Sequence, residues 1–229
     1  MPINTTGASA VFFCTYMKGI NMFDTIFSTV RAFEQLRSEP WNKLGNTLLV
    51  GEGNLSFARS LINMPSAGLT RVMATVFEPA SKLSEEAIEN AQWIKRCGGY
   101  ILYDIDATKL DSDFPQQKFD TIIFQFPNVG SRKSKYGHTS NHVMARKFLR
   151  AAKICLEMHG KVLLTLVDNP HYRGIFKPDE AATFSGYKTP HSYPFDASKF
   201  RGYAHTNTNN DDSAAQNYNR FVTWVFEPE

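Results

Sequence analysis

Apolar residues recur along the chain in two rhythms. Between Asn21 and Trp41, Phe23, Ile26, Phe27, Val30, Phe33 and Leu36 fall three and four apart, and the run stops at Pro40. That spacing predicts an amphipathic helix packed on a domain's flank, with a partner-binding helix as the alternative. Beyond it, short apolar runs alternate with helical ones. "NTLLVG" reads as a buried strand and "NLSFARSLINM" as the helix after it, and "RVMATVFE" (Arg71 to Glu78) is a second strand. "SKLSEEAIENAQWIKRCGG" is a helix that Ser81 can cap, with Glu85 and Glu86 near its positive end and Gly98 closing it. "YILYDID" and "FDTIIFQFP" are the third and fourth strands, "NHVMARKFLRAAKICLEMHG" is a long helix ending at Gly160, and "KVLLTLVD" is the fifth strand. After Pro170 the chain is rich in Gly, Pro, Asn and Tyr and reads mostly as loop, "TNTNNDD" (Thr206 to Asp212) included, until the alternating strand "RFVTWVFE".

Strands this apolar cannot face water on one side. Their alternation with helices predicts an α/β fold, a doubly wound, mostly parallel sheet with helices on both faces. The 229 residues suit one large domain. The expected division is an extension over 1–44 carrying the amphipathic helix, then the α/β domain over 45–229.

Aromatics at 13%, including 18 Phe, imply a well-filled core or stacking surfaces. A net charge of +3 does not by itself announce nucleic-acid binding, but leaves room for a local basic patch. Cys14, Cys97 and Cys155 form no CxxC, as expected of reduced thiols in an intracellular protein. No stretch approaches the roughly eighteen apolar residues of a membrane span. The N-terminus has no basic segment before its apolar patch, so neither membrane nor secretion is expected. His138 and His142 lie four apart, but no third ligand stands at a telling distance, and no metal is expected.

The first strand runs directly into "GEGNLSF", and glycine gives a packed strand nothing to bury. In open α/β sheets ligands bind at the carboxyl ends of the strands, and a bare backbone at Gly51 and Gly53 lets one approach the main chain. The loop lacks the third glycine of a dinucleotide fingerprint and the Gly-Lys-Ser/Thr of a phosphate loop, so NAD and ATP fit poorly. Glu78, ending the second strand, is placed to accept hydrogen bonds from ribose hydroxyls, or merely precedes Pro79 in a turn. Asp106, past the third strand in "YDIDATKL", is placed to meet an adenine amine, or caps a helix, as Thr108 also can. A glycine loop with an acid after each of two strands describes an adenosyl pocket that makes no demand for phosphate. S-adenosylmethionine fits it best. Glu52 either lies near the methionine part or is an inert loop acid.

"LLVGEGNLSFARSL", "DIDATKL", "FDTIIFQFPNVG" and "FRGYAHTNTNN", in this order, resemble the family typified by the yeast large-subunit ribosomal RNA uridine-N3 methyltransferase. The resemblance spans about residues 46–226. It implies a Rossmann-like class I methyltransferase that uses S-adenosylmethionine, and it adds Asn54, Ser56, Phe57 and Ala107 to the cofactor-binding set. Asn54 stands where the family usually has Asp, Gln125 where Asn is common and Asn128 where His is common. "HTNTNN" replaces a twin-Arg segment, which removes two cations suited to phosphate.

On the acceptor side, "FQFPNVG" follows the fourth strand, where N-methyltransferases hold the acceptor nitrogen. Gln125 and Asn128 offer amide donors and acceptors, Phe126 and Pro127 an apolar wall; a plain Xaa-Pro turn is the alternative. Asp168, His171 and Tyr172 follow the fifth strand and are placed to help form the same pocket, with His171 as a proton acceptor, although Asp168 also suits a turn cap. In "GSRKSKYGH", Arg132, Lys133 and Lys135 suit phosphate while Tyr136 suits a base, unless the loop is simply solvated. RNA, ribosomal by the resemblance, is the expected substrate. Transfer to a small molecule or protein, and a non-catalytic binding protein, are the other readings. Nothing in the sequence sets an oligomeric state.

Overall fold

The computed structural model describes residues 40–129, 139–205 and 218–229. The expected N-terminal helix, the cluster Arg132, Lys133, Lys135 and Tyr136, His138 and the "TNTNNDD" loop lie outside the described residues.

Seven strands form one sheet: β1 (Gly45–Val50), β2 (Leu69–Thr75), β3 (Tyr100–Leu102), β4 (Phe119–Gln125), β5 (Leu156–Val167), β6 (His191–Phe195) and β7 (Phe221–Phe226). Their spatial order is β3-β2-β1-β4-β5-β7-β6. Neighbours from β3 to β5 pair in parallel, whereas β7 runs antiparallel to both β5 and β6. The helices are α1 (Ser56–Ile62), α2 (Glu85–Arg96), α3 (Leu110–Asp113), α4 (Ser140–Cys155), α5 (Pro170–Phe176) and α6 (Pro178–Ser185).

The unbroken apolar runs follow from burial on both faces. Successive side chains of a strand point to opposite sides. Leu48, Val50, Ile122, Val162, Leu164 and Leu166 accordingly pack with Phe148, Leu149 and Ala152 of α4 and with Ala181 and Ala182 of α6. Leu49, Ala74, Ile123 and Leu163 pack with Phe57 and Leu61 of α1 and Ile94 of α2. The predicted doubly wound sheet is present, and the reversed β7 makes it mixed.

Three boundaries differ from the sequence reading, each for a local reason. Ser84, not Ser81, caps α2, its hydroxyl accepting from the Ala87 amide at 3.2 Å, and residues 80–82 form a separate 3-10 turn. Glu85 and Glu86 do lie in the first turn, and Gly98 follows the last, its amide on the Lys95 carbonyl at 3.0 Å. Helix α4 ends at Cys155 rather than Gly160, because the chain there has already joined β4: Phe119 pairs with Leu156 and Thr121 with Lys161. Four residues of β5 there stand against one of β4, leaving Met158 exposed, and a Cβ at Gly160 would sit 3.0 Å from the carbonyl oxygens of Phe119 and Glu157. The stretch after Pro170, read mostly as loop, holds α5, α6 and β6. The Asn169 side chain and Pro170 start α5, and β6 carries two prolines' worth of disguise at its borders, Pro190 before it and Pro194 within it.

The aromatic content concentrates under β1. Phe57, 1% exposed, touches Trp41 at 5.5 Å between ring centroids, Phe200 at 4.9 Å, Tyr203 at 5.0 Å and Phe195 at 6.1 Å. This cluster fixes the first turn of α1 against the segment after β6. Phe57→Ala is expected to cost about 3–5 kcal/mol of unfolding free energy, read as a lower urea midpoint; a change below 1 kcal/mol would show that the cluster is not a core.

Candidate functional site

The β1–α1 loop is shaped from its main chain. Gly51 adopts a left-handed φ of 65°, and a Cβ there would lie 2.5 Å from Phe124 Cε2. Only glycine therefore lets the loop cross the end of β4. The Glu52 amide donates to the Thr75 carbonyl at 2.9 Å, which pins the loop to β2. Leu55 takes a second left-handed turn, φ 63°, before α1 begins.

Asn54 and Ser56 lock this loop to a distant segment. Ser56 Oγ donates to the Ala204 carbonyl at 2.9 Å and accepts from the Ala204 amide at 3.1 Å. Asn54 Nδ2 donates to the same carbonyl at 3.2 Å, and Asn54 Oδ1 accepts from the Ser56 amide at 3.1 Å. From α2, Asn90 Nδ2 donates to the Asn54 carbonyl at 2.7 Å while Asn90 Oδ1 accepts from Arg59 at 3.0 Å. Asn54 in place of the family's Asp thus has a purpose: a carboxylate has no proton to offer Ala204.

Glu52 points inward. Its Oε2 accepts from the Ala58 amide at 3.1 Å, and the Phe57 amide also bonds the carboxylate. Burial still outweighs these bonds and pushes its pKa up to about 7. Tyr203 lies close by, its hydroxyl held far above the ordinary phenol range by burial and by Glu52.

At the ends of β2 and β3 the two predicted acids differ. Glu78 is half-buried, and its carboxylate makes no hydrogen bond or ion pair among the described residues; its carbonyl accepts from Asp104 at 3.4 Å. Asp106 is committed: Oδ1 accepts from the Thr108 amide at 2.9 Å and hydroxyl at 2.8 Å, and Lys109 lies 3.5 Å from Oδ2. Burial pushes its carboxyl up, but those bonds prevail and hold it below the usual range. Asp106, not Thr108, is the cap, and Ala107 after it is buried. Phe77, 61% exposed beside Glu78, was missed by sequence reasoning, although an apolar residue next to a strand-end acid was there to be noticed.

On the acceptor side the decisive group is Gln125. Its Nε2 and Oε1 are both shut away from water, and neither has a hydrogen-bond partner among the described residues. Phe126 follows in a left-handed conformation, φ 46°, its amide on the Thr165 carbonyl at 2.9 Å and its ring 5.1 Å from Phe221 and 4.7 Å from His205. Pro127 is buried and Asn128 exposed, and the Val129 amide donates to Asn141 Oδ1 at 3.1 Å. Asp168 Oδ2 pairs with Arg220 at 3.0 Å just past β5, and His171 is exposed on α5 beside Tyr172. His142 Nδ1 lies 2.9 Å from the Phe176 carbonyl oxygen, and no metal-sized group of His, Cys, Asp and Glu occurs among the described residues. No described helix is long and apolar enough to cross a membrane.

The fold and this loop define a Rossmann-like methyltransferase. The structure matches TrmN from Thermus thermophilus with a TM-score of 0.52 and 17% identity, over 87% of this chain and 48% of that one. It matches the 16S rRNA methyltransferase KamB with a TM-score of 0.51 and 15% identity, over 86% and 93%. The family model described as "rRNA (uridine-N3-)-methyltransferase BTM5-like" matches residues 48–207, and the chain belongs to this BMT5-like family of S-adenosylmethionine-dependent methyltransferases. An uncharacterized Arabidopsis thaliana protein is 32% identical over 142 residues, 56% of this chain and 68% of the relative. Ferredoxin-fold anticodon-binding domain-containing protein 1 of Homo sapiens is 28% identical over 181 residues, 73% of this chain; the chain spans only 28% of that relative's length.

The residue that best fits S-adenosylmethionine is Glu78, half-buried at the end of β2 with an uncommitted carboxylate, whereas the side of Gly51 that a Cβ would take is already filled by the Phe124 ring. Of the nine cofactor-binding candidates, Gly51, Gly53 and Glu78 are partly exposed. Glu52, Asn54, Ser56 and Phe57 are buried and shape the loop from beneath, and Ala107 is buried behind Asp106.

Because the folded pKa of Glu52 lies above its ordinary 4.5, the protonated carboxyl favours the fold. That contribution is complete below about pH 4.5 and gone once the pH passes about 7. Glu52→Gln should lack this dependence. The stability of the native chain relative to the variant is expected to fall on the order of 3 kcal/mol across that window and stay level above it. Urea titrations at several pH values read this directly, and parallel curves would place the carboxylate in water.

Proposed function

We propose that this chain transfers a methyl group from S-adenosylmethionine to N3 of a uridine in ribosomal RNA. The observation that carries the reading is the orphaned amide of Gln125. A buried polar group left unpaired costs about 1–3 kcal/mol, and this chain keeps one donor and one acceptor in that condition at the end of β4. An imide edge, a ring N–H between two carbonyls, is their complement. Nε2 donates to a ring carbonyl, where negative charge gathers as the nitrogen loses its proton. Oε1 accepts from N3–H until that proton leaves. Phe126 and Pro127 supply the apolar wall of the site.

When bound, S-adenosylmethionine supplies an electrophilic methyl group on a sulfonium, so the protein's task is to hold the acceptor nitrogen in line with it. The clasp between Ser56 and Ala204 holds the donor side rigid, and β4 runs beside β1, which brings Gln125 next to the glycine loop. The family description supports RNA as the acceptor. So does the sequence cluster Arg132, Lys133, Lys135 and Tyr136, which follows the anchored Val129 and suits phosphate and base contacts. Action on ribosomal RNA implies work inside the cell, in the cytoplasm or a nucleolus.

The direct test gives the full chain tritiated S-adenosylmethionine and total RNA from cells lacking it, then resolves the digested nucleosides by mass spectrometry. Labelled 3-methyluridine is expected; label confined to protein or to small molecules would reject the reading.

Gln125→Met separates function from structure. Removing an unpaired buried amide is expected to leave stability unchanged or raise it by about 1 kcal/mol, while methyl transfer drops by about tenfold or more. Loss of stability together with unchanged transfer would make Gln125 a structural residue.

A further inference from the structure

Removing the proton from an imide nitrogen needs a group more basic than the Gln125 carbonyl oxygen, and sequence reasoning assigned that task to His171. The exposed placement of His171 on α5 and the pairing of Asp168 with Arg220 leave the task open. His205 is the imidazole that lies against the acceptor motif, its ring 4.7 Å from that of Phe126, the residue after Gln125. Its position is fixed from both sides. The preceding residue, Ala204, is held at its amide and its carbonyl by Ser56 and at its carbonyl by Asn54, and Tyr203 Oη lies 3.2 Å from His205 Nδ1. One residue therefore borders the glycine loop, through its neighbour, and the end of β4, through its own ring.

On the reading of the acceptor given above, we propose that His205 is the catalytic base that takes the proton from the acceptor nitrogen. With Nδ1–H donating to Tyr203 Oη, Nε2 presents its lone pair. The N–H bond breaks and its electron pair stays on nitrogen. That pair forms the new N–CH3 bond as the S–CH3 bond breaks, with its electrons remaining on sulfur. The proton rests on Nε2 and passes to water after the products leave. Partial burial favours the neutral ring, lowering the His205 pKa, so the base is ready near neutral pH. Among the described residues, the groups facing it are the Tyr203 hydroxyl, with the Glu52 carboxyl close behind, and, just past β4, the uncharged ring of Phe126.

The test compares the full chain with His205→Asn and Tyr203→Phe, measuring methyl transfer against pH and S-adenosylmethionine binding by calorimetry. For His205→Asn the expected result is a kcat lower by about 10²–10⁴-fold, donor affinity unchanged, and loss of the acid limb that lies below the ordinary imidazole range. Tyr203→Phe keeps the ring and removes only the hydroxyl, and it is expected to displace that limb without abolishing transfer. An undiminished kcat in His205→Asn overturns the proposal, as does an acid limb that persists near pH 7, where Glu52 titrates. Should the native chain make 3-methyluridine while His205→Asn makes it equally fast, the proposal falls and the uridine reading stands. Should the native chain label a different acceptor and His205→Asn lose that activity, the uridine reading falls and the base assignment stands.

Discussion

Ser56 spends one hydroxyl on both backbone groups of Ala204, and the site depends on that pair of bonds. The two residues are far apart in the chain: Ser56 opens α1 straight after an irregular loop, and Ala204 lies in a segment with no regular structure. The β1–α1 loop turns through two left-handed residues, Gly51 and Leu55, and the segment after β6 reaches Ala204 from the 3-10 turn at Ala197–Lys199. A clasp of short, doubly satisfied hydrogen bonds in a largely buried setting converts two floppy connections into one wall. Asn90 and Arg59 brace it from behind, so the donor side of the site is stiff before any ligand arrives.

The acceptor side follows the opposite logic. Where Asn54 of the glycine loop and Ser56 after it are tied to Ala204, the end of β4 leaves the buried Gln125 amide without a partner among the described residues. A protein tuned only for stability would fill that position with a methionine or leucine. Keeping the amide costs stability in the empty state and gives a partner of matching pattern a large advantage over one that lacks it, because a mismatched guest leaves the same atoms unpaired. On the proposed function, the tied loop would hold the donor and the unmet amide would choose the acceptor.

The fold could be read from the sequence because burial on two faces writes an unbroken apolar run, as in "TLLV" and "TIIF", and the helix capping of α2 was misplaced by only three residues. The donor loop was legible for the same reason a packed strand rejects glycine. What stayed hidden depended on distant partners. Nothing local to Asn54 or Ser56 says that they reach Ala204, and nothing local to Asp168 says that it pairs with Arg220. His205 stood within a quoted motif, but its ring acquires a role only once folding lays it on Phe126. Strand β6 was lost because Pro194 and the polar residues around it obey its place at the sheet edge, where no ladder partner is needed on the outer side.

The position of β7 makes it the link between the two parts of the sheet. Among the described residues β6 pairs with β7 alone, and β7 in turn pairs with β5, so the earlier strand joins the sheet through the later one. The connection between them, residues 196–220, carries Ala204 and His205. A nascent chain can complete the parallel half of its sheet and its glycine loop, yet it has no wall across that loop until the reversed strand arrives. The placement of Ala204 and His205 is thereby tied to a long-range pairing, β5 with β7, rather than to the motifs alone.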